Sequence, residues 1–467
     1  MSAGPPPYPR PVPLALPRPS RRQLRRRALE TFRVGGRNFR RLAGRRLFRR
    51  PVAEHAYARP LHLTFEELGA TYVKLGQLIA SSPGLFGDEV SNEFRSCLDT
   101  GPAVPFPEVR TAVETTLGRP LESAFASFDE IPIGRASIAV VHRATLRDGR
   151  TAAVKVLRPG IENLVATDLR LMEPLLSFLA RQVGVAEAGQ LVRMMDGFRQ
   201  QVAEELDLRN EACAMAHYRD LLARVDLPLV VVPEPYPALS GTRVLTMEFL
   251  DGFPIDDLAR IADLGVDPRP LIEQTVRGWF LTAIRYGVFH GDVHAGNLML
   301  LRDGRIAALD WGIVGQLDPD THRFFRRTIE AALGDESAWD EVAARLLQVY
   351  GPALGALGLD EAEMALFVRG VMEPILTRPF GEVSLATFIA AIQGQVAKAE
   401  GQVVQSRSST AAPSSSASSS CTSSATARCS SPTCRSFRTG SSSRGCSPRA
   451  PRRGRGARPR RPARAPR

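Results

Sequence analysis

Alternating apolar and polar positions pick out two β-hairpins in this 467-residue chain. The first runs over residues 138–146, turns at Asp148-Gly149 and returns from Thr151 to Leu157. The second pairs the run Leu298–Leu301 with the one that follows Asp303-Gly304 and ends at Asp310-Trp311-Gly312. Asp-Gly suits a tight hairpin because glycine accepts the positive φ that other residues resist. Two shorter apolar runs, 229–232 and 243–249, also read as strands. Between and around these segments the period changes to helical. Residues 106–117, 161–224 with interruptions, 338–350 and 360–376 repeat their apolar positions at three- and four-residue intervals. Ile272, Val276, Trp279, Phe280 and Ala283 mark a helix leading into the second hairpin. Thr64-Phe65-Glu66-Glu67 predicts a capping box, with Thr64 as N-cap and Glu67 at the third helical position. The helix behind it carries Phe65, Leu68, Tyr72, Leu75 and Ile79 on one stripe, with Lys74 and Gln77 off it. A small β-rich lobe followed by a mainly helical one, behind a helical extension, is the α+β architecture these patterns predict.

Charge divides the chain into three parts. Residues 1–50 hold 15 arginines against one acid, Glu30, and residues 402–467 hold 14 arginines and no acid. The stretch between carries 32 basic and 48 acidic residues, so the folded part is acidic although the whole chain is at +12. The proline-rich residues 1–20 are expected to be unstructured. The arginine-rich stretch 21–50 suits a basic helix on anionic lipid. No run of 18 apolar residues exists to cross a membrane, and the N-terminus has no apolar core of a secretory signal. A cytoplasmic protein, peripheral on the inner face of the membrane, fits this pattern, and no specific nucleic-acid partner is expected. Of the six cysteines only Cys97 and Cys213 fall in the globular region, which argues against a disulfide framework.

Only three lysines occur, Lys74, Lys155 and Lys398, against 58 arginines. A lysine that persists in so arginine-biased a chain is a candidate for chemistry that needs a compact ammonium. Lys155 lies between valines on the return strand of the first hairpin, where a charge is costly unless paired or facing an anion. Glu205, Asp207 and Glu211 form an acidic cluster. On one continuous helix Asp207 and Glu211 share a face, whereas Glu205 and Glu211 point about 120° apart and can serve different partners. Asp292 and Asn297 precede the second hairpin and Asp310 ends it. In kinase-type phosphoryl transfer one aspartate orients the acceptor hydroxyl, while an asparagine and a second aspartate hold metal on the nucleotide. In that scheme Lys155 meets the phosphates, Glu211 holds Lys155, Asn297 and Asp310 bind Mg2+, and Asp292 positions the nucleophile. Glu248 and Phe249 lie in the link between lobes, whose backbone would meet the adenine of ATP. His290 and His294 read as hydrogen-bonding residues that shape the loop.

Two departures exclude an ordinary protein kinase. No Gly-x-Gly-x-x-Gly loop precedes Lys155, and no Ala-Pro-Glu follows Asp310. With Lys74-Leu75-Gly76-Gln77, Ala136-Ser137-Ile138, Ala153-Val154-Lys155-Val156, Glu205-Leu206-Asp207 and Asp310-Trp311-Gly312, residues 60–400 resemble the UbiB/AarF (ABC1-type) family of atypical kinases. The resemblance implies a two-lobed protein-kinase-like fold. It implies that the Lys74 helix closes over the site and pairs with Glu205, shutting out protein substrates. It implies regulatory roles for Lys74, Gln77, Glu205 and Asp207, and a nucleotide-shaping loop at Ala136 and Ser137. Members are linked to isoprenoid-quinone biosynthesis, so a quinone-precursor lipid and an anionic membrane surface are the implied partners. This chain departs from the family at Arg135 in that loop, at Val293 and Ala295 where prolines are common, and at Trp311, which stands where Phe is usual.

The expected organisation is a basic segment over 1–58, a helical extension over 59–120, an N-lobe over 121–250 and a C-lobe over 251–401. From 402 to 467 the composition turns to Ser, Arg and Pro. This is either a disordered tail or the product of a reading-frame slip; a one-base shift of plausible GC-rich codons restores an amphipathic helical sequence. The competing functional readings are a small-molecule kinase of the aminoglycoside- or choline-kinase type, against which the Lys74 element argues, and a catalytically silent nucleotide-gated scaffold.

Overall fold

The computed structural model describes residues 8–47, 55–82, 86–97, 101–180, 185–354 and 361–376, with four single residues beyond, at 378, 391, 394 and 395. The 402–467 segment, Lys398 and the end of the predicted C-lobe fall outside the described residues.

Among the described residues the N-terminal part holds α1 (Arg21–Leu47), α2 (Ala58–Leu68), α3 (Ala70–Ala80) and α4 (Asp88–Phe94). Then come α5 (Phe106–Leu117) and the single turn α6 (Leu121–Ala124). The first sheet contains β1 (Phe125–Phe128), β2 (Gly134–Arg135), β3 (Ala139–Leu146) and β4 (Thr151–Leu157). Helices α7 (Ile161–Ala180), α8 (Val185–Glu205) and α9 (Leu208–Arg224) precede β5 (Val230–Val231) and β6 (Val244–Glu248). The second lobe follows with β7 (Gly252–Pro254), α10 (Leu258–Leu264), α11 (Arg269–Tyr286) and β8 (Val288–His290). It is completed by β9 (Leu298–Leu301), β10 (Ile306–Ala308), β11 (Val314–Gln316), α12 (Pro319–Ala332), α13 (Glu336–Leu354) and α14 (Glu361–Leu376).

Both predicted hairpins form. Strand β3 pairs antiparallel with β4, placing Val141 opposite Lys155, and β6 adds to the other side of β4. The path is β1-β3-β4-β6, with β2 also on β3. The strand that carries Lys155 is therefore central. Val154 and Val156 face one core and Ala153 and Leu157 the other, and the ammonium of Lys155 must find a partner inside the protein. In the second lobe β9 and β10 pair antiparallel around Gly304 at φ +84°, flanked by β7 and by β5, while β8 pairs with β11. The two-lobed α+β arrangement with a helical extension is as the sequence predicts.

Several local expectations are corrected. Thr64 is not an N-cap: α2 begins six residues earlier, and the Thr64 hydroxyl, buried mid-helix, donates to Pro60 O at 2.7 Å. The break falls instead at Gly69, φ +87°, which ends α2 and starts α3 at an angle that most side chains resist. Residues 8–20 have no helix or strand but are docked. Tyr8 is buried against His217, Leu14 N donates to Ala203 O at 2.8 Å, and Val12 N donates to Asn210 Oδ1 at 3.0 Å. The acidic cluster does not lie on one helix, because the chain breaks between α8 and α9. Asp207 is the N-cap of α9, accepting from Arg209 N at 3.1 Å.

The apolar positions of α11 divide between faces, with Trp279 packed partly against the main core. Ile272, Val276 and Phe280 are exposed, and Leu271, Thr275, Gly278 and Thr282 face the core. Close approach decides this. A side chain at Gly278 would press on Leu227 and Leu222, and Thr282 Oγ1 lies 2.7 Å from the Tyr218 hydroxyl. Helix α1 is the basic helix expected, but Arg27 turns inward. Its Nε and a terminal nitrogen donate to Asp168 at 2.7 and 3.0 Å, and it also donates to Leu68 O at 2.6 Å. Asp168 is fully buried. Arg27→Ala would leave that carboxylate without its counter-charge, and we expect a loss of about 3–5 kcal/mol in urea unfolding.

Candidate active site

Strand β4 holds Lys155 pointing out of the sheet toward α9, where Glu211 lies one turn past the Asp207 cap. Lys155 Nζ donates to both Glu211 carboxylate oxygens at 2.8 and 2.9 Å and lies 3.7 Å from Asp310 Oδ2. Burial pushes the ammonium down, but Asp310 and Glu211 outweigh it and hold Lys155 above the ordinary lysine range. Burial pushes the Glu211 carboxyl up, and Lys155 offsets only part of that. On Asp310 burial also pushes up, but Lys155, Lys74 and the Gly312 N–H at 2.9 Å bring it down to about 2. Its side chain remains 42% exposed, so this anion is both permanent and reachable.

The second expected pair also forms. Lys74, from α3, reaches Glu205 Oε2 at 2.6 Å at the end of α8. Burial raises the Glu205 carboxyl, and Lys74 opposes this as its counter-charge. The two glutamates do serve different lysines, though the separation comes from the α8–α9 break rather than from helical phase. Both lysines in the described part of the chain therefore sit in one cluster. Between them lies a cavity of about 20 Å³, lined by Lys74, Ala136, Lys155, Glu205, Asp207, Glu211 and Asp310 among others. That is room for about one water or ion. Lys74 from α3 and Glu205 from α8 form part of the cavity wall.

The loop before β9 is organised by its histidines. His290 Nδ1 accepts from Asp292 N at 3.1 Å, which leaves the proton on Nε2 to donate to Asp310 O at 2.7 Å. His294 Nδ1 accepts from Gly296 N at 3.1 Å. Asn297 Nδ2 donates to Asp292 O at 3.0 Å and lies 3.4 Å from its Oδ2, while Leu309 N donates to Asn297 O at 2.9 Å. Asp292, Asn297 and Asp310 are thus tied into one frame. Burial holds the His290 ring below the ordinary histidine range. A second proton on it would break the Asp292 bond. Since this histidine is lowered, its contribution is present above about pH 6.5 and is lost only as pH falls through its lower folded value. The pH profile of ligand binding should accordingly run flat through 6.5, and a His290→Asn variant should lose affinity at every pH.

Sequence reasoning missed how Trp311 works. Its ring is 2% exposed, lies 4.7 Å from both the Tyr218 and His290 rings, and donates Nε1–H to Ala308 O at 2.9 Å. The larger ring fills the joint between Tyr218 of α9 and His290, which precedes the Asp292–Asn297 loop. Trp311→Ala is expected to cost about 3–5 kcal/mol in chemical denaturation.

Other predicted site residues are placed differently from expectation. Ser137 is buried but lines a separate cavity against residues 66–70 and 101–105, not the one that Lys155 faces. Ala136 does line the central cavity, its carbonyl held by Arg158 at 2.8 and 3.0 Å, while Arg135 is exposed on β2. Gln77 is half-buried, and its side chain has no hydrogen bond among the described residues. Glu248 N donates to Glu234 O at 2.8 Å and Phe249 N to Thr151 O at 3.3 Å. Both amides are therefore spent, and a base at the lobe link would have to use carbonyls or the next amide, Leu250.

A central-strand lysine locked to a helix glutamate, beside an ionised aspartate at the foot of a hairpin, defines a two-lobed protein of the kinase-like class. Within that class, residues 96–342 match the model of the ABC1 atypical kinase-like domain, and the chain belongs to that family. It is 38% identical over 345 residues to the uncharacterized protein Rv0647c of Mycobacterium tuberculosis, covering 73% of this chain and 69% of that one. It is 39% identical over 297 residues to the uncharacterized aarF domain-containing protein kinase At5g05200, chloroplastic, of Arabidopsis thaliana, covering 62% and 54%. It is 32% identical over 333 residues to the probable protein kinase UbiB of Marinobacter nauticus, covering 70% and 60%. Among solved structures, the Rv3197–erythromycin complex of M. tuberculosis aligns at TM-score 0.40 and 22% identity, covering 71% of this chain and 89% of that one.

Proposed function

We propose that this protein is an ATP- and Mg2+-dependent atypical kinase or ATPase of the UbiB type, supporting isoprenoid-quinone or other lipid metabolism rather than phosphorylating proteins. The observation that carries the reading is the Lys155–Glu211 pair 3.7 Å from an Asp310 carboxylate held at about 2. A lysine kept charged, next to an anion kept charged, is what a phosphate chain and its metal require. Lys155 would neutralise the α- and β-phosphates, and Glu211 would fix its position. Asn297 and Asp310 offer hard oxygen ligands, which suit Mg2+. Asp292 would receive the acceptor hydroxyl or water. Lys74 on Glu205 closes the face that a peptide would approach, which favours turnover without a protein substrate.

Two surfaces support a lipid setting. A largely apolar groove of about 550 Å³, lined by Trp279, Phe280, Phe289, Phe324 and Phe325 among others, runs beside the strand that leads into the catalytic loop. It offers a place for a prenyl chain. Helix α1 exposes Leu29 and Phe32 among Arg22, Arg25, Arg26 and Arg33, a composition suited to an anionic membrane face. ATP turnover by the full chain, with and without anionic vesicles and a quinone-precursor mimic, tests the reading. Stimulation by both supports it. Mg2+-dependent binding without turnover would leave a nucleotide-gated scaffold, and transfer to a soluble hydroxyl compound alone would favour the small-molecule kinase. In vesicle flotation, Phe32→Asp should reduce recovery with anionic lipid severalfold.

A further inference from the structure

Outside the cleft, three side chains of the extension converge. His62 and Glu66 lie one turn apart on α2, and Cys97 lies three residues past the end of α4. The imidazole nitrogen, a carboxylate oxygen and the sulfur all lie within 4.8 Å of one another. His62 is 2% exposed, and its Nε2 makes no hydrogen bond. The other ring nitrogen, Nδ1, lies 3.1 Å from Glu93 Oε1, which Arg59 also holds at 2.9 Å. Proton placement follows: Nδ1–H donates to Glu93, so in the neutral ring Nε2 presents a lone pair. That lone pair looks toward Glu66 Oε1, another acceptor, at 3.2 Å. Two lone pairs facing each other inside a protein repel unless a proton or a metal ion lies between them; a proton gives a Glu66–His62–Glu93 bridge, and the Cys97 sulfur beside it is what points to a metal. A carboxylate behind a histidine, fixing its tautomer and raising its basicity, is the usual support of a metal-bound imidazole.

We propose that His62 Nε2, Glu66 and Cys97 Sγ bind a zinc-type divalent ion, with Glu93 orienting the imidazole. Thiolate, imidazole and carboxylate together select a borderline-soft metal over Mg2+ or Ca2+. Tetrahedral zinc needs ligand atoms roughly 3.3–3.8 Å apart, reached here by small side-chain rotations. Binding releases the Cys97 thiol proton to solvent and leaves the Nδ1–H in place, donating to Glu93. Three protein ligands leave the fourth position to water. The ion would join α2 to α4 directly beneath α3. A Cβ placed at Gly76 would meet Phe94 at 2.9 Å and Cys97 Sγ at 3.2 Å, so the helix that carries Lys74 rides on this site. Loading would thereby stiffen the support of the Lys74–Glu205 contact, and the site stands whether or not the cleft turns over ATP.

The test uses the full chain with Cys213, Cys421, Cys429, Cys434 and Cys446 changed to Ser, stripped by chelator under reducing conditions and titrated with Co2+. We expect one equivalent to produce sulfur-to-cobalt charge-transfer absorption that Zn2+ displaces. Cys97→Ser should abolish the band, and Glu93→Gln should weaken binding about 10–100-fold. Absence of the band, or its survival in Cys97→Ser, overturns the site and leaves His62 as a bridge between two carboxylates. Because the Ser variants themselves could disturb folding, the unmutated chain supplies a second readout. Zn2+ should slow alkylation of Cys97 at least tenfold by peptide mass spectrometry, and an unchanged rate overturns the proposal equally.

Discussion

Replacing Lys155 with alanine is expected to abolish ATP turnover and to destabilise the protein by about 3–5 kcal/mol. The two effects have one cause. Lys155 is the direct counter-charge of Glu211, which is buried, and contributes to holding Asp310 at about 2. Without it Glu211 has to take up a proton or remain an unpaired anion in the core, while Asp310 drifts back toward the ordinary carboxylate range. Asp310→Asn separates these effects. The neutral amide still accepts from Gly312 N, and Glu211 still pairs with Lys155, so the loss of stability should be smaller than in Lys155→Ala. Metal affinity should nevertheless collapse, and Mg2+-dependent nucleotide binding should vanish in calorimetry. Nucleotide binding unchanged in Asp310→Asn would remove the metal assignment. Full turnover in a folded Lys155→Ala would remove the phosphate assignment.

The second large effect concerns the closed face. Lys74→Ala with Glu205→Ala removes both charges of the contact, so no buried anion is left behind, and the 20 Å³ cavity should open. ATP affinity is then expected to rise at least tenfold, because nucleotide no longer has to displace the ion pair. Lys74→Ala alone should gain less and lose stability, since Glu205 would stay buried without its partner. Fluorescent-nucleotide titration together with a denaturation curve checks both. A fall in affinity in the double variant would mean that Lys74 grips the phosphates itself rather than closing the site.

These expectations rest unevenly on local and long-range information. The hairpins were legible from alternation and Asp-Gly turns, because strand period and turn conformation are properties of a few consecutive residues. Helices α5, α7 to α9, α13 and α14 were legible for the same reason. Lys155 was legible because a lysine between valines on a central strand has few ways to be satisfied, and Glu211 as its partner followed from the kinase-type order of the motifs. The scarcity of lysine marked Lys74 and Lys155 together before any partner was visible. The Lys74–Glu205 contact came through the family resemblance and not from spacing.

Tertiary packing decided the rest. Thr64 has the pattern of a cap, but a helix that starts at Ala58 absorbs it, and Gly69 makes the break. On α11 the apolar pattern marked the helix but not its buried face, since the core took Gly278 and Thr282 for close approach and hydrogen bonding. Ser137 is adjacent to Ala136 in sequence yet faces a different cavity. Arg27 pairs with Asp168 across 141 residues, and nothing local tells it from the other arginines of α1. Cys97 meets His62 from another helix, so no linear ligand spacing reveals the cluster. The order of residues was enough to place the hairpins and most helices and to mark Lys155 as a charge needing a partner, because period, turn type and the cost of a buried charge act over a few residues. Which faces meet, and which charges they leave to be paired, was settled only when distant segments competed for the same buried space.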